Sequence, residues 1–266
     1  MRSCPVRRNG QVCAPINEVL VSGGADATLE TYAACSCGRR FPLSRTAAQR
    51  LGKVIAGYRA APTATADPAE ARRLDSLIER TTCPTGRVSP LSKQGIVPIG
   101  TPVLHRSTEP VTVISTGLAR FGLHMVSAMR RAKGIGLAAN QVGVPVRVLA
   151  HNLGRVLPQI MVNPKVTRSQ GRWTYGEGCL SLRIEGTAVD VVRPRIISVV
   201  ATLLDGRVIA VRADELLARV LQHELDHLDG IEYVQRLVGA ERAAVYALIE
   251  QSGGDLSFLP PRPYDR

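Results

Sequence analysis

The stretch LQHELDHLDG, Leu221 to Gly230, decides how the chain is read. In an α-helix, positions i and i+4 lie one turn apart on the same face, so His223 and His227 can direct their imidazoles at one ion. Glu224 stands about 100° further round the helix from His223. It can reach a water beside the ion without ligating the ion, the arrangement of a general base in HExxH hydrolases. The histidine pair lies on an apolar-flanked segment, Asp214 offers an N-cap upstream, and Gly230 marks the stop. A helix through His227 is therefore expected.

Working outward, ISTGLARFGLHMVSAMRRAKG places Leu118, Phe121, Met125 and Met129 on one helical face and ends in Lys-Gly, a C-cap signal. Short β-type runs occur at VRVLAHNL, QIMVNPKV and IISVVATLL, the last joined to VIAVRA by a hairpin turn at Asp205-Gly206-Arg207. A final helix is expected over Ala240 to Glu250. Strands and helices mix without regular βαβ alternation, so the fold class is α+β. Upstream, SRTAAQRLGKVIAGYR reads as a helix capped by Ser44, and the Ala/Pro/Thr-rich segment 61–73 leads into a further short amphipathic helix. TTCPTGRVSPLSKQG reads as linker. The expected division is a small basic N-terminal domain over 1–85, a linker over 86–95 and a catalytic domain over 96–266.

Two imidazoles hold a catalytic ion poorly, and a third protein ligand normally leaves one position for water. No histidine follows His227. Upstream, YGEGCLSL (175–182) carries Cys179 in a glycine-flanked loop, and a thiolate there would complete a Cys-His-His set. Taken alone, Cys179 reads as a small buried core residue, as most free cysteines are. A third stretch, GIGLAANQVG (134–143), combines a tight glycine path at Gly134 and Gly136 with an amide donor at Gln141.

Together the three stretches resemble the signatures of the peptide deformylase family, GxGLAAxQ, EGCLS and HExDH, in that order. The resemblance covers residues from about 97 to 240 and leaves 1–85 aside. It implies a central HExxH helix among mixed antiparallel sheets, and removal of the formyl group from the N-terminal formylmethionine of newly made polypeptides. It also implies iron(II) at Cys179, His223 and His227, replaceable by other divalent metals. Water in the remaining position would be activated by Glu224, the oxyanion held by Gln141 and the Leu180 N–H, and the substrate backbone admitted beside Gly136. Glu177 is expected to anchor the cysteine loop. One departure is SLRIEGTAVDVVRPR, which lacks the Pro-Gly step many members carry after EGCLS, and fine specificity is expected to depend on it.

Hydrophobic residues make up 45% and charged residues 21% of the 266, as in globular proteins rather than disordered chains. No apolar stretch suits a membrane span or a signal peptide, so the expectation is a cytoplasmic protein. The net charge is +12, and residues 1–95 hold 14 basic and 7 acidic side chains. That bias makes association with the ribosome plausible. Without aromatic stacking platforms no sequence-specific nucleic-acid binding is expected. Four of six cysteines, Cys4, Cys13, Cys35 and Cys37, fall in the first 37 residues. Asn9-Gly10 signals a hairpin that would bring Cys4 and Cys13 onto one face, with Cys35-Ser-Cys37 as a second pair. A zinc-ribbon-like module holding structural zinc and a set of reduced core cysteines both fit; a C-x-C spacing is unusual for zinc, and a reducing compartment disfavours disulfides.

Overall fold

The computed structural model describes residues 7–8, 11–12, 17–21, 30–34, 40–58, 67–81, 95–153 and 160–257. Its strands are β1 (Arg7–Arg8), β2 (Gln11–Val12), β3 (Asn17–Val21), β4 (Glu30–Ala34), β5 (Arg40–Phe41), β6 (Gly136–Ala138), β7 (Val148–His151), β8 (Ile160–Gln170), β9 (Trp173–Glu177), β10 (Val189–Arg193), β11 (Ile196–Thr202) and β12 (Val208–Asp214). Its α-helices are α1 (Arg45–Ala56), α2 (Pro68–Thr81), α3 (Thr116–Arg131), α4 (Glu215–Leu228) and α5 (Gly239–Gln251). Eight strands form one antiparallel sheet in the order β5-β4-β3-β12-β11-β8-β7-β6, while β9 and β10 pair as a separate ribbon. The α+β class follows.

Alternation along the strands gives the large sheet two apolar faces. On one lie Leu149, Met161, Val199, Ile209 and Val211, all essentially buried, against Leu217, Leu221, Leu225 and Leu228 of α4. At roughly 1.5–3 kcal/mol for each fully buried aliphatic side chain, this layer fixes α4 on the sheet and leaves its opposite side for chemistry. The other face is shared. Val148, Ala150, Ile160 and Val162 pack with α3 through Leu118, Phe121, Met125 and Met129, the four residues expected to face inward. Leu20 and Ala210 pack on Leu51 of α1.

The separate small domain expected over 1–85 is not what the described residues form. Strand β3 pairs with β12 from Val21↔Ile209 to Glu18↔Arg212, and β4 and β5 extend the same sheet. Helix α1 lies across β3 and β12, its tail tied down where Tyr58 donates from its hydroxyl to the Asn163 carbonyl at 2.8 Å. Helix α2 packs on α3, with Ser115 donating to Asp75 at 2.5 Å. β3 carries only five residues, too short a run to announce itself, and its partner lies far along the chain. β1 and β2 pair in the register Arg7↔Val12 and Arg8↔Gln11, as a hairpin at Asn9-Gly10 requires. Cys4, Cys13, Cys35, Cys37 and all of the proposed linker except Gly95 lie outside the described residues.

Two helix ends differ from expectation. Ser44 caps α1, accepting from the Ala47 N–H at 3.3 Å, but Asp214 occupies the N-cap position of α4 without capping it. Its carboxylate faces Arg195 at 3.3 Å instead. At the end of α3 the left-handed residue is Lys133 (φ 58°), not Gly134. Lys133 N–H bonds to Arg130 O at 3.0 Å and Gly134 N–H to Met129 O at 2.9 Å, a Schellman pair with lysine where glycine normally sits.

Candidate metal centre

Three elements converge over the polar side of α4. Helix α4 supplies His223, Glu224 and His227. The loop leaving β9 supplies Cys179 and Leu180. The 3-10 turn Ala139–Val142, entered from β6, supplies Gln141. The ligand atoms of Cys179, His223 and His227 all lie within 4.8 Å of one another, with Cys179 Sγ 3.2 Å from His227 Nε2. Cys179 and His227 are buried and His223 is half-buried. His223 Nδ1 is 3.0 Å from Glu177 Oε2, which leaves Nε2 with its lone pair turned the other way. Three soft or borderline donors crowded together, one of them a histidine oriented by a carboxylate, suit one divalent cation.

Glu177 is itself held. Arg193 donates to both its oxygens (2.5 and 2.8 Å), and Arg219 donates to Oε1. Burial alone would raise the Glu177 pKa, but the hydrogen bonds from Arg193 and His223 outweigh it and keep the carboxyl well below the usual range. Arg193 also reaches Asp226 at 2.7 Å, and Asp226 receives Arg236 as well. A chain of alternating charge, buried at Asp226, Arg193 and Glu177, thus runs from Arg236 to His223, past the candidate ligands. Glu177 was expected to brace the cysteine loop; Arg193, Arg219 and Asp226 were not foreseen. Arg219 precedes His223 by one helical turn, a spacing that could have drawn notice, whereas Arg193 comes from another element and has no local signature.

Glu224 is buried against β6. Its pKa is raised to about 7, first by burial, with the His223 charge opposing and the Glu177 charge reinforcing. A Cβ added to Gly136 would lie 2.2 Å from Glu224 Oε1 and 2.8 Å from Val220 Cγ1. The space left by the missing side chain therefore holds the Glu224 carboxylate. Gln141 is almost wholly buried; its Oε1 accepts from Ala138 N–H at 2.9 Å, which fixes the amide so that Nε2 points toward Cys179 Sγ (3.4 Å) and Ser181 Oγ (3.3 Å). Gly136, Gln141, Glu177, Cys179, His223 and Glu224 line a cavity of about 710 Å³. Its far wall is the loop Leu182 to Ala188, the segment where the sequence departs from the family pattern, held by Tyr233 donating to Thr187 O at 2.5 Å. Among the described residues no helix is long and apolar enough to cross a membrane.

A sequence model described as Polypeptide deformylase matches residues 93–243. Curated relatives include a peptide deformylase of Pelotomaculum thermopropionicum, 39% identical over 141 residues, 53% of this chain and 89% of that one. Another, from Rhizobium meliloti, is 42% identical over 144 residues, covering 51% and 82% respectively. Among solved structures, the peptide deformylase of Synechococcus elongatus in complex with actinonin superposes with a TM-score of 0.57 at 32% identity, covering 68% of this chain and all of that one. That of Thermus thermophilus gives 0.53 at 33% identity, covering 59% and 93%.

Proposed function

Because the chain belongs to the polypeptide deformylase family, hydrolases that remove the N-formyl group from nascent peptides, we propose that Cys179, His223 and His227 hold its catalytic ion. In the same reading Glu224, Gln141 and Leu180 carry the proton and the developing charge. The convergence of three ligand atoms beside the buried Glu224 supports this most directly. Iron(II) is the ion the resemblance implies, and the cytoplasm and the vicinity of the ribosome are where formylated chains would be met.

A formylmethionyl terminus enters the cleft with its formyl carbon beside Glu224. A divalent cation held by Cys179, His223 and His227 would supply Lewis acidity and lower the pKa of water there. Glu224 takes the proton as water adds to the formyl carbon; a carboxylate poised near neutrality is matched to both accepting and returning it. Gly136 is needed because any side chain there would push that carboxylate away. Negative charge gathers on the formyl oxygen, where Gln141 Nε2 and the Leu180 N–H donate; one such donor is typically worth about 3 kcal/mol. Ala138 holds the Gln141 amide in the donating orientation beforehand, so no reorganisation is needed at the moment of reaction. The C–N bond then breaks, Glu224 returns its proton to the leaving nitrogen, and formate and a free amine depart. Glu177, fixed by Arg193 and Arg219, keeps the His223 ring in place throughout.

The test is to incubate anaerobically purified, iron-loaded protein with formyl-Met-Ala-Ser and with the unformylated peptide, measuring formate and peptide cleavage. Formate from the first alone is expected; cleavage of the internal bonds would replace the assignment with a peptidase. Glu224→Ala should keep its metal and lose at least about 10²-fold in turnover, while Cys179→Ala should lose the metal.

A further inference from the structure

A second cavity lies far from these residues, on the other face of the large sheet. It encloses about 290 Å³ and is lined by Arg50, Arg168, Gln170, Ser198 and Arg212 with two isoleucines. The register explains how the arginines meet. Ser198 on β11 stands opposite Arg168 on β8 and opposite Arg212 on β12, and Arg212 stands opposite Glu18 on β3. Directly opposed residues share a face, so Arg168, Ser198, Arg212 and Glu18 form one row across four strands. Their flanking residues Val199, Val211 and Ala213 point the other way, into the layer beneath α4.

With strands about 4.8 Å apart, Arg168 and Arg212 start roughly 10 Å from each other, and the small side chain between them leaves room for both guanidiniums to close over it. Arg50 arrives from α1, which bridges this face, and pairs with Glu18. The Nε of Arg50 is buried and meets no acceptor, and no carboxylate among the described residues pairs with Arg168 or Arg212. Three cations thus face one anion around a cavity sized for a small group. Helix α1 adds Arg45 and Lys53 and carries no acidic residue.

We propose that this cavity is a phosphate-binding site, in which Arg168 and Arg212 grip the phosphate oxygens over Ser198 and Arg50 closes the rim. Guanidinium forks match the geometry of phosphate oxygens and bind them bidentately. A small phosphate ester and a polynucleotide backbone present the same oxygens, and the experiment below separates these two sources. The site is built only because β3 joins the sheet and α1 packs across it. It is independent of the metal centre, on the opposite face from α4.

The experiment uses the full, metal-loaded chain. Inorganic phosphate is titrated calorimetrically at constant ionic strength, and a labelled twelve-nucleotide uridine strand by fluorescence anisotropy. Wild type is compared with Arg168→Gln/Arg212→Gln and with Arg72→Gln/Arg120→Gln, which removes equal charge from exposed positions elsewhere. The site variant should bind phosphate at least tenfold more weakly than wild type and the control variant, with formate release unchanged. An equal loss for the uridine strand, absent in the control, assigns the phosphate to a polynucleotide. Loss for inorganic phosphate alone assigns it to a small ester. Phosphate binding that is undetectable in wild type, or unchanged in the site variant, overturns the proposal. Arg168→Gln alone, at an exposed position, gives the same comparison should the double variant fold poorly.

Discussion

Replacing Gly136 by alanine separates the catalytic role proposed for Glu224 from the stability of the fold. The new Cβ would stand 2.2 Å from Glu224 Oε1, where ordinary contact begins near 3.4 Å, so the oxygen must retreat by about 1.2 Å. That oxygen is the far end of a flexible side chain, which can swing aside cheaply. Val220 Cγ1 at 2.8 Å must yield too, and overpacking of this size costs about 1–3 kcal/mol. The catalytic effect is the larger one, because a misplacement near 1 Å lowers rates about 10²-fold, equivalent to roughly 2.7 kcal/mol on the barrier. The expected Gly136→Ala protein melts a few degrees lower, holds a full complement of metal, and releases formate from formyl-Met-Ala-Ser about 100-fold more slowly. Coupled spectrophotometric assay of formate and elemental analysis of the same sample measure both quantities. Turnover within threefold of wild type would refute the reasoning, since the carboxylate would then have lost its place without consequence. Loss of metal would refute it differently, by moving the effect from Glu224 to the histidines.

Other outcomes follow from the same geometry. Arg193→Leu leaves Glu177 and Asp226 buried without their shared partner, and chemical denaturation should show a loss of about 3–5 kcal/mol; a loss under 1 kcal/mol would mean the network contributes little. Lys133→Gly relieves a left-handed lysine and should stabilise by roughly 0.5–1 kcal/mol, raising Tm by about 2 °C; a fall in Tm would contradict the strain assigned there. His105 accepts the Gly100 N–H at Nε2, and burial lowers its pKa to about 4 against an ordinary 6.5, the charge of Asp255 opposing. Since the unfolded chain binds that proton more readily, the contribution is present above about pH 6.5 and declines as pH falls toward 4. A proton NMR titration of His105 with its midpoint at or above 6.5 would exclude this.

Much of the centre was legible because its chemistry is local. The i, i+4 spacing of His223 and His227 and the inward face of α3 both depend on helical period alone, and each lies where that period puts it. Long-range partners left no such trace. Nothing near Asp214 signals that Arg195 takes its carboxylate from the cap, and nothing near Glu177 announces Arg193. Gly136 was expected to admit the substrate backbone; the void it leaves is filled by Glu224, which arrives from α4 and has no sequence neighbour in common with it. The sheet extension was hidden for the same reason, since β3 is defined by its pairing with β12 more than by its own five residues.

That pairing has a consequence in time. Asp214 donates its N–H to the Asn17 side chain across 197 positions of sequence. At about 5–20 residues per second, synthesis leaves β3 waiting roughly 10–40 s for its neighbour. Meanwhile Val19, Leu20 and Val21 would stand as an apolar edge, open to association with other emerging chains. In the folded protein the strand has β4 on its other side and Leu51 of α1 against Leu20, both encoded close enough to be made within that interval. The helix that borders the arginine cavity is thus encoded early enough to cover that strand before the last part of its own sheet has been made.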